Sequence, residues 1–304
     1  MKGRLAAYKQ ISLTFSLATV ALGVWGSPTL AGDPFRQSNA ANIGEKTEAA
    51  FEAVFRQGNY KEAKNYLIEA DSAETNEPLA HAMRASLAYT EKDWETLKSY
   101  ASKTIETAEQ LKTQNPVRGN LYLAVGHFLE GAYIYKQQQD PVSTLTKLQQ
   151  VFQFLDAAEQ ESPDDPELNL VKGYLELILA VNLPFSSPDQ AIARLEQYAA
   201  PKYLVDRGIA VAYRDLKEYD KAMQFAEQAL NAAPENPELY YLKGQILRKQ
   251  GKQNQDLELL KQAFSYFEKT LAKQEQLPES ILAPVRHERE LLQKEMNEFQ
   301  AYRP

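Results

Sequence analysis

His287-Glu288-Arg289-Glu290 opens as a zinc-protease helix does, with a metal-binding imidazole followed by a carboxylate able to act as general base. The second histidine that such a helix needs one turn later is absent, because position 291 is Leu. Gly244 to Lys252 pairs two glycines with a lysine, the ingredients of a phosphate-binding loop. The spacing is wrong for one, and Gln253 follows the lysine where Ser or Thr would reach a magnesium ion. Carboxylates adjoin at Asp164-Asp165 and at Glu288 and Glu290, but in a chain that is 25% charged such pairs read as solvated helix surface. The three histidines, His81, His127 and His287, are scattered, and there is no G-x-S-x-G. Cysteine is absent, which removes disulfides, iron–sulfur clusters, thiolate zinc sites and cysteine nucleophiles. No enzyme chemistry and no cofactor is expected from these residues.

Charge narrows the partner class. With 34 Lys and Arg against 41 Asp and Glu the net charge is −7, the wrong sign for a chain whose main partner is nucleic acid. Apolar residues make up 44%, so the 304 residues can bury a core, and disorder is not the expected state.

The first thirty residues read as an address. Lys2, Arg4 and Lys9 precede an uncharged run from Ile11 to Val24, Pro28 breaks any helix, and Thr29-Leu30-Ala31 supplies small residues for cleavage. This is a signal peptide expected over 1–31. The run is short for a spanning helix, which needs about 20 residues. An uncleaved anchor, lengthened by Trp25 and Gly26, is the alternative, and only then is membrane contact expected. Cleavage removes three cations and no acid, leaving 31 against 41 and a charge of −10. Residues 32–42 carry Pro34 and little periodicity and read as a flexible lead.

The rest of the chain repeats itself. Pro163-x-x-Pro166-Glu167-Leu168-x-x-x-Lys172-Gly173 recurs as Pro234-x-x-Pro237-Glu238-Leu239-x-x-x-Lys243-Gly244, 71 residues later. Pro201 marks a unit between them, so the period is near 35 residues. Each unit reads as two helices. Proline suits a first helical turn, whose N–H groups lack intrahelical partners. In the unit Tyr203–Asn236, Ile209, Ala210 and Tyr213 form one apolar face. Tyr219, Ala222, Ala226, Ala229 and Leu230 form the next at helical spacing. Alanine there lets two backbones approach.

This unit resembles the tetratricopeptide repeat. Ile209, Ala210 and Tyr213 stand at the Leu, Gly and Tyr places of its first helix, and Ala222, Ala229 and Pro234 fit the second half. The next unit has Tyr240, Gly244, Leu247, Gly251, Ala263 and Phe267, with about seven extra residues around Gln253–Leu259 that lengthen its turn or second helix. Phe51, Val54, Gly58, Tyr60, Ala63, Leu67 and Ala70 fit a unit upstream, and Pro78 to Ala101 another. Residues 117–161 fit loosely, with a second helix from about Val142 to Glu161. Asp165 to Val181 reads as a first helix with Leu168, Val171, Leu175 and Ile178 inward, and Asp189 to Tyr198 as its partner. The resemblance implies an all-α, right-handed solenoid of about six hairpins over 43–277. A capping helix within 278–304 buries Val285, Leu292, Met296 and Phe299.

It also implies where a partner would bind. First helices line the concave face of such arrays and hold peptides or extended protein segments. The groove-facing places fall on Arg207, Val211, Arg214 and Asp215, then on Tyr241, Gln245, Arg248 and Lys249. Upstream they fall on Phe55, Tyr89 and Leu177. Arg207, Arg214, Tyr241, Gln245 and Arg248 are the candidate binding residues, a basic subsite for an acidic peptide or a C-terminal carboxylate. The alternative is that these arginines pair with neighbouring Asp and Glu. Signal peptide, repeats and cysteine-free acidic body together resemble exported cyanobacterial tetratricopeptide-repeat proteins. The expectation is an exported, non-enzymatic scaffold for a protein or peptide partner, periplasmic or secreted, or in the thylakoid lumen if the source is cyanobacterial. It would serve assembly or maintenance of a membrane or envelope complex. A solute- or carbohydrate-binding helical protein of the periplasm is the rival.

Overall fold

The computed structural model describes residues 32–182 and 188–301. The expected signal peptide, 1–31, lies outside the described residues. Thirteen α-helices follow one another among them, and no strand. They are α1 (Glu45–Phe51, continued by a π turn over Glu52–Arg56), α2 (Tyr60–Ala73), α3 (Pro78–Glu91), α4 (Trp94–Leu111) and α5 (Pro116–Tyr133, with a π turn over Ile134–Gln138). Then come α6 (Pro141–Glu161), α7 (Pro166–Asn182), α8 (Asp189–Tyr198), α9 (Lys202–Asp215), α10 (Tyr219–Ala232), α11 (Pro237–Asn254), α12 (Leu257–Leu271) and α13 (Glu279–Ala301).

Local chemistry sets these ends. Asn59, Asp93, Asn115, Asp140, Asn236 and Asp256 each accept a backbone N–H from the first turn of the helix they precede. Such caps satisfy donors that have no intrahelical partner. Pro78, Pro116, Pro141 and Pro237 sit in first turns.

Consecutive helices pair as six hairpins, α1/α2 through α11/α12, and α13 packs on α12. Alanines make the close contacts: Ala222, Ala226 and Ala229 on α10 are fully buried, as are Ile209 and Ala210 on α9. Val285 and Leu292 of α13 are fully buried, with Met296 beside them. The extra residues of the sixth hairpin lengthen its first helix, not its turn or second helix: α11 runs on to Asn254. On α7 the buried arc also differs from expectation. Leu168 is buried, Val171 and Leu175 are partly so, yet Ile178 is exposed while Leu177, expected in the groove, is buried. A first helix packs both on its own partner and on the next hairpin, so its buried arc is wider than one stripe.

The array closes on itself. Asn236 Nδ2, at the start of the sixth hairpin, donates to the Phe55 carbonyl of the first at 3.0 Å, and Tyr60 Oη donates to Glu238 at 2.9 Å. Gly58 sits at this seam with φ +66°, and a Cβ there would fall 2.6 Å from Asn236 Oδ1 and Pro237 Cδ. Only glycine meets both demands. Residues 32–42, read as a flexible lead, form no helix but are held in place. Phe35 is buried edge-on against Phe51, their ring centroids 5.0 Å apart. Asp33 accepts the N–H groups of Phe35, Arg36 and Ala41.

Candidate functional site

The repeat phase brings Arg214 of α9 together with Gln245 and Arg248 of α11. They line a cleft of about 580 Å³ with Asp215, Tyr219, Lys249, Lys252 and Glu288. Arg214 Nη1 donates to Gln245 Oε1 at 2.6 Å, and its other edge grips Asp215 through two bonds of 2.8 and 3.0 Å. The opposite wall is α13. Glu288 accepts from Tyr241 Oη (2.6 Å), Gln245 Nε2 (2.8 Å) and Arg248 Nη1 (3.3 Å). Glu295, two turns on, takes Arg248 through two bonds of 3.1 and 2.7 Å and Lys252 at 2.7 Å. The hydrogen bond from Arg248 to Glu295 raises the Arg248 pKa in spite of burial. Burial would raise the Glu295 carboxyl, but Arg248 and Lys252 bring it below the ordinary range. Lys249 is exposed and makes no ion pair among the described residues.

Four of the five candidate residues therefore form one connected set, and α13 supplies the acids that Arg248 faces. Sequence reading places the cations but not Glu288 and Glu295. Their spacing of seven residues on one helix face is the available signal.

Arg207 does not line the cleft. It lies at the seam, where its Nη2 donates to Glu238 at 2.6 Å beside the Tyr60 hydroxyl. Burial opposes the charge of Arg207, and Glu238 outweighs it, so the pKa is raised. Burial and then Glu238 push the Tyr60 phenol up as well.

A second cluster has no counterpart in the sequence reading. Arg118 on α5 is buried and donates to Glu77 at 2.8 Å and to Glu167 at 3.1 Å. Glu167 also accepts from Tyr122 Oη and, at 2.9 Å, from Arg36 of the lead. Arg36 spans Asp165 as well, with bonds of 2.9 and 2.8 Å. Burial raises the Glu77 pKa against the pull of Arg118, while Glu167 and Glu77 together raise Arg118 against burial. The Pro-x-x-Pro-Glu motif already contains Glu167, but its partners lie 45 to 131 residues away. The histidines are dispersed. His81 Nε2 bonds the Thr75 carbonyl, and His127 stacks on Phe154 at 5.4 Å. No group of three metal-ligating side chains converges among the described residues, and no described helix is long and apolar enough to cross a membrane.

Six successive hairpins with a capping helix and a lined cleft define a helical-repeat protein. The family model of the tetratricopeptide repeat matches residues 208–236, which run from α9 through α10 to the cap of α11. The chain is an all-α array of helix hairpins, one of which matches the tetratricopeptide repeat. A solved structure, that of a thermophilic TPR protein from Thermus thermophilus, is similar at 20% identity with a TM-score of 0.42. The likeness covers 64% of this chain and 94% of that one. No curated protein matches the chain.

Proposed function

We propose that this protein is an exported, non-enzymatic scaffold that holds an acidic, extended segment of a protein partner in the cleft between α9, α11 and α13. Tetratricopeptide arrays serve protein–protein interaction, and this cleft carries the charge for it. Arg214, Arg248, Lys249 and Lys252 face it against Asp215, Glu288 and Glu295, an excess of one cation on an acidic chain. That excess is the observation that carries the reading. Arginine suits the role because its planar fork takes a carboxylate through two parallel bonds, as Arg248 does with Glu295. The polar lining, with Tyr219 its one aromatic side chain, favours a peptide over a stacked sugar. The proposed setting is the periplasm, a secreted location or a thylakoid lumen, where the scaffold assists assembly or maintenance of a membrane or envelope complex.

The test is capture from that compartment with wild-type protein and with R214A/R248A, both checked for helicity by circular dichroism. Protein partners recovered by the wild type and lost with the folded double variant support the reading. Equal recovery, or a co-purifying sugar in place of a protein, overturns it.

A further inference from the structure

The backbone nitrogen of Gly32 donates to Glu48 Oε2 at 2.6 Å. Three features make this more than a passing contact. First, Glu48 is half-buried, and its carboxylate accepts no other hydrogen bond and makes no ion pair among the described residues. It stands on α1 between Glu45 and Glu52, at positions where like charges repel. Glu52 has Arg56 beside it, at 3.3 Å, and Glu48 has no such cation among the described residues. Second, the approach is close: a Cβ on residue 32 would fall 2.5 Å from Glu48 Oε1, so a larger residue there would push the carboxylate aside. Third, the residues that follow are anchored. Asp33 closes a turn on three backbone N–H groups, Phe35 is buried, and Arg36 is fixed on Asp165 and Glu167. These anchors deliver residue 32 to Glu48.

Residue 32 is also the one that follows Ala31, where the sequence points to cleavage. We infer that cleavage after Ala31 creates a docking group: the α-ammonium of Gly32 pairs with the Glu48 carboxylate and latches the N-terminal segment onto the first hairpin. This rests on the export reading. A peptide nitrogen offers Glu48 one proton and no net charge. A free α-amine offers three protons and a full positive charge, and charge-assisted bonds are roughly twice as strong as neutral ones. The carboxylate that pairs with no cation among the described residues gains one by proteolysis. The latch holds Phe35 against Phe51 and Arg36 across α7, so processing also fastens the segment that bridges the first and fourth hairpins.

The full chain is carried through a secreting host and its N-terminus is determined by mass spectrometry. The purified protein and E48Q are then labelled with an amine-reactive acetyl ester at neutral pH. The expected start is Gly32. Its α-amine should label roughly tenfold slower in the wild type than in E48Q, the factor that corresponds to about 1.4 kcal/mol of preference for the protonated amine. Lysine labelling is the internal control. E48Q should melt about 2–4 °C lower. A chain released in vitro with one extra Ala before Gly32 keeps Glu48 intact but displaces the amine, and it should also label fast and melt lower. A start other than Gly32 overturns the processing step. Equal α-amine rates in the wild type and in either variant overturn the ion pair. Partner capture by the cleft is read separately, so failure of the latch and failure of the scaffold reading are distinguishable.

Discussion

Glu167 and Glu238 stand at the same place in two copies of one motif, and each accepts both a guanidinium and a phenol. Glu167 takes Arg118, Arg36 and Tyr122; Glu238 takes Arg207 and Tyr60. In each case one donor comes from the N-terminal part of the chain, Arg36 at Glu167 and Tyr60 at Glu238. The repeated glutamate is thus a fastening point by which the first residues of the array are drawn to its fourth and sixth hairpins.

Arg118 is the keystone of the first of these points. Arg118→Met would leave Glu77 buried without its cation, and breaking a buried pair from one side costs about 3–5 kcal/mol. The double variant R118M/E77Q should recover part of the loss. Urea midpoints of the three proteins check this. An R118M midpoint within the range of surface variants would show that Glu77 is protonated or solvated in the folded protein.

Ala222 and Ala229 leave no room for larger side chains, since neither has exposed surface. Replacing either with Leu should cost about 1–3 kcal/mol by overpacking α10 against its neighbours. Thermal melts report the loss. Unchanged midpoints would mean that α10 can shift as a body without disturbing α9 and α11.

Asp33 ties the lead to the pH. Burial alone would raise its carboxyl, but the N–H groups of Ala41 and Phe35 and the Arg36 guanidinium hold it below the ordinary 3.8. A depressed folded value means that the folded protein favours the carboxylate. Its stabilisation is fully present above 3.8 and is lost as the pH falls through the lower folded value. Asp33→Asn removes this contribution at neutral pH. The gap between wild-type and D33N melting temperatures should therefore hold steady at neutral pH and close below 3.8. A gap that persists in acid would assign the effect to lost shape instead of lost charge.

Periodicity and caps are enough to read most helices. The bounds Asp189 and Tyr198 stand as read, and the proline motif marks the starts of α7 and α11. The closure of the array is not legible. Asn236 and Phe55, or Tyr60 and Glu238, meet across 178 to 181 residues, and such pairs leave no periodic trace. The lead looks loose for the same reason: Phe35 and Arg36 are isolated residues whose partners belong to α1 and α7. In the cleft, phase alone places Arg214 and Arg248 side by side. It misassigns Arg207, because the groove there is covered by the first hairpin.

The cleft already contains the kind of group it is proposed to bind. Glu288 and Glu295 of α13 occupy Arg248, Gln245 and Lys252 as a partner's carboxylates would. An incoming acidic segment must displace them, displace Asp215 from Arg214, or use Lys249. Replacing both glutamates with Gln removes the internal competitor while keeping shape and hydrogen-bonding capacity. A fluorescent peptide of alternating Glu and apolar residues, titrated by anisotropy, should bind E288Q/E295Q roughly tenfold more tightly than wild type, a difference of about 1.4 kcal/mol. Arg214→Ala or Arg248→Ala should weaken the same peptide roughly 10- to 150-fold, since a net hydrogen bond to a charged group is worth about 1.5–3 kcal/mol. Raising the salt should narrow all of these differences, because exposed charges are screened within about 10 Å at 0.1 M. If the double Gln variant binds the peptide no better than wild type while remaining helical, α13 does not compete for the cleft. Its carboxylates are then a fixed part of the wall, and the acidic segment must be held by Arg214 and Lys249 alone.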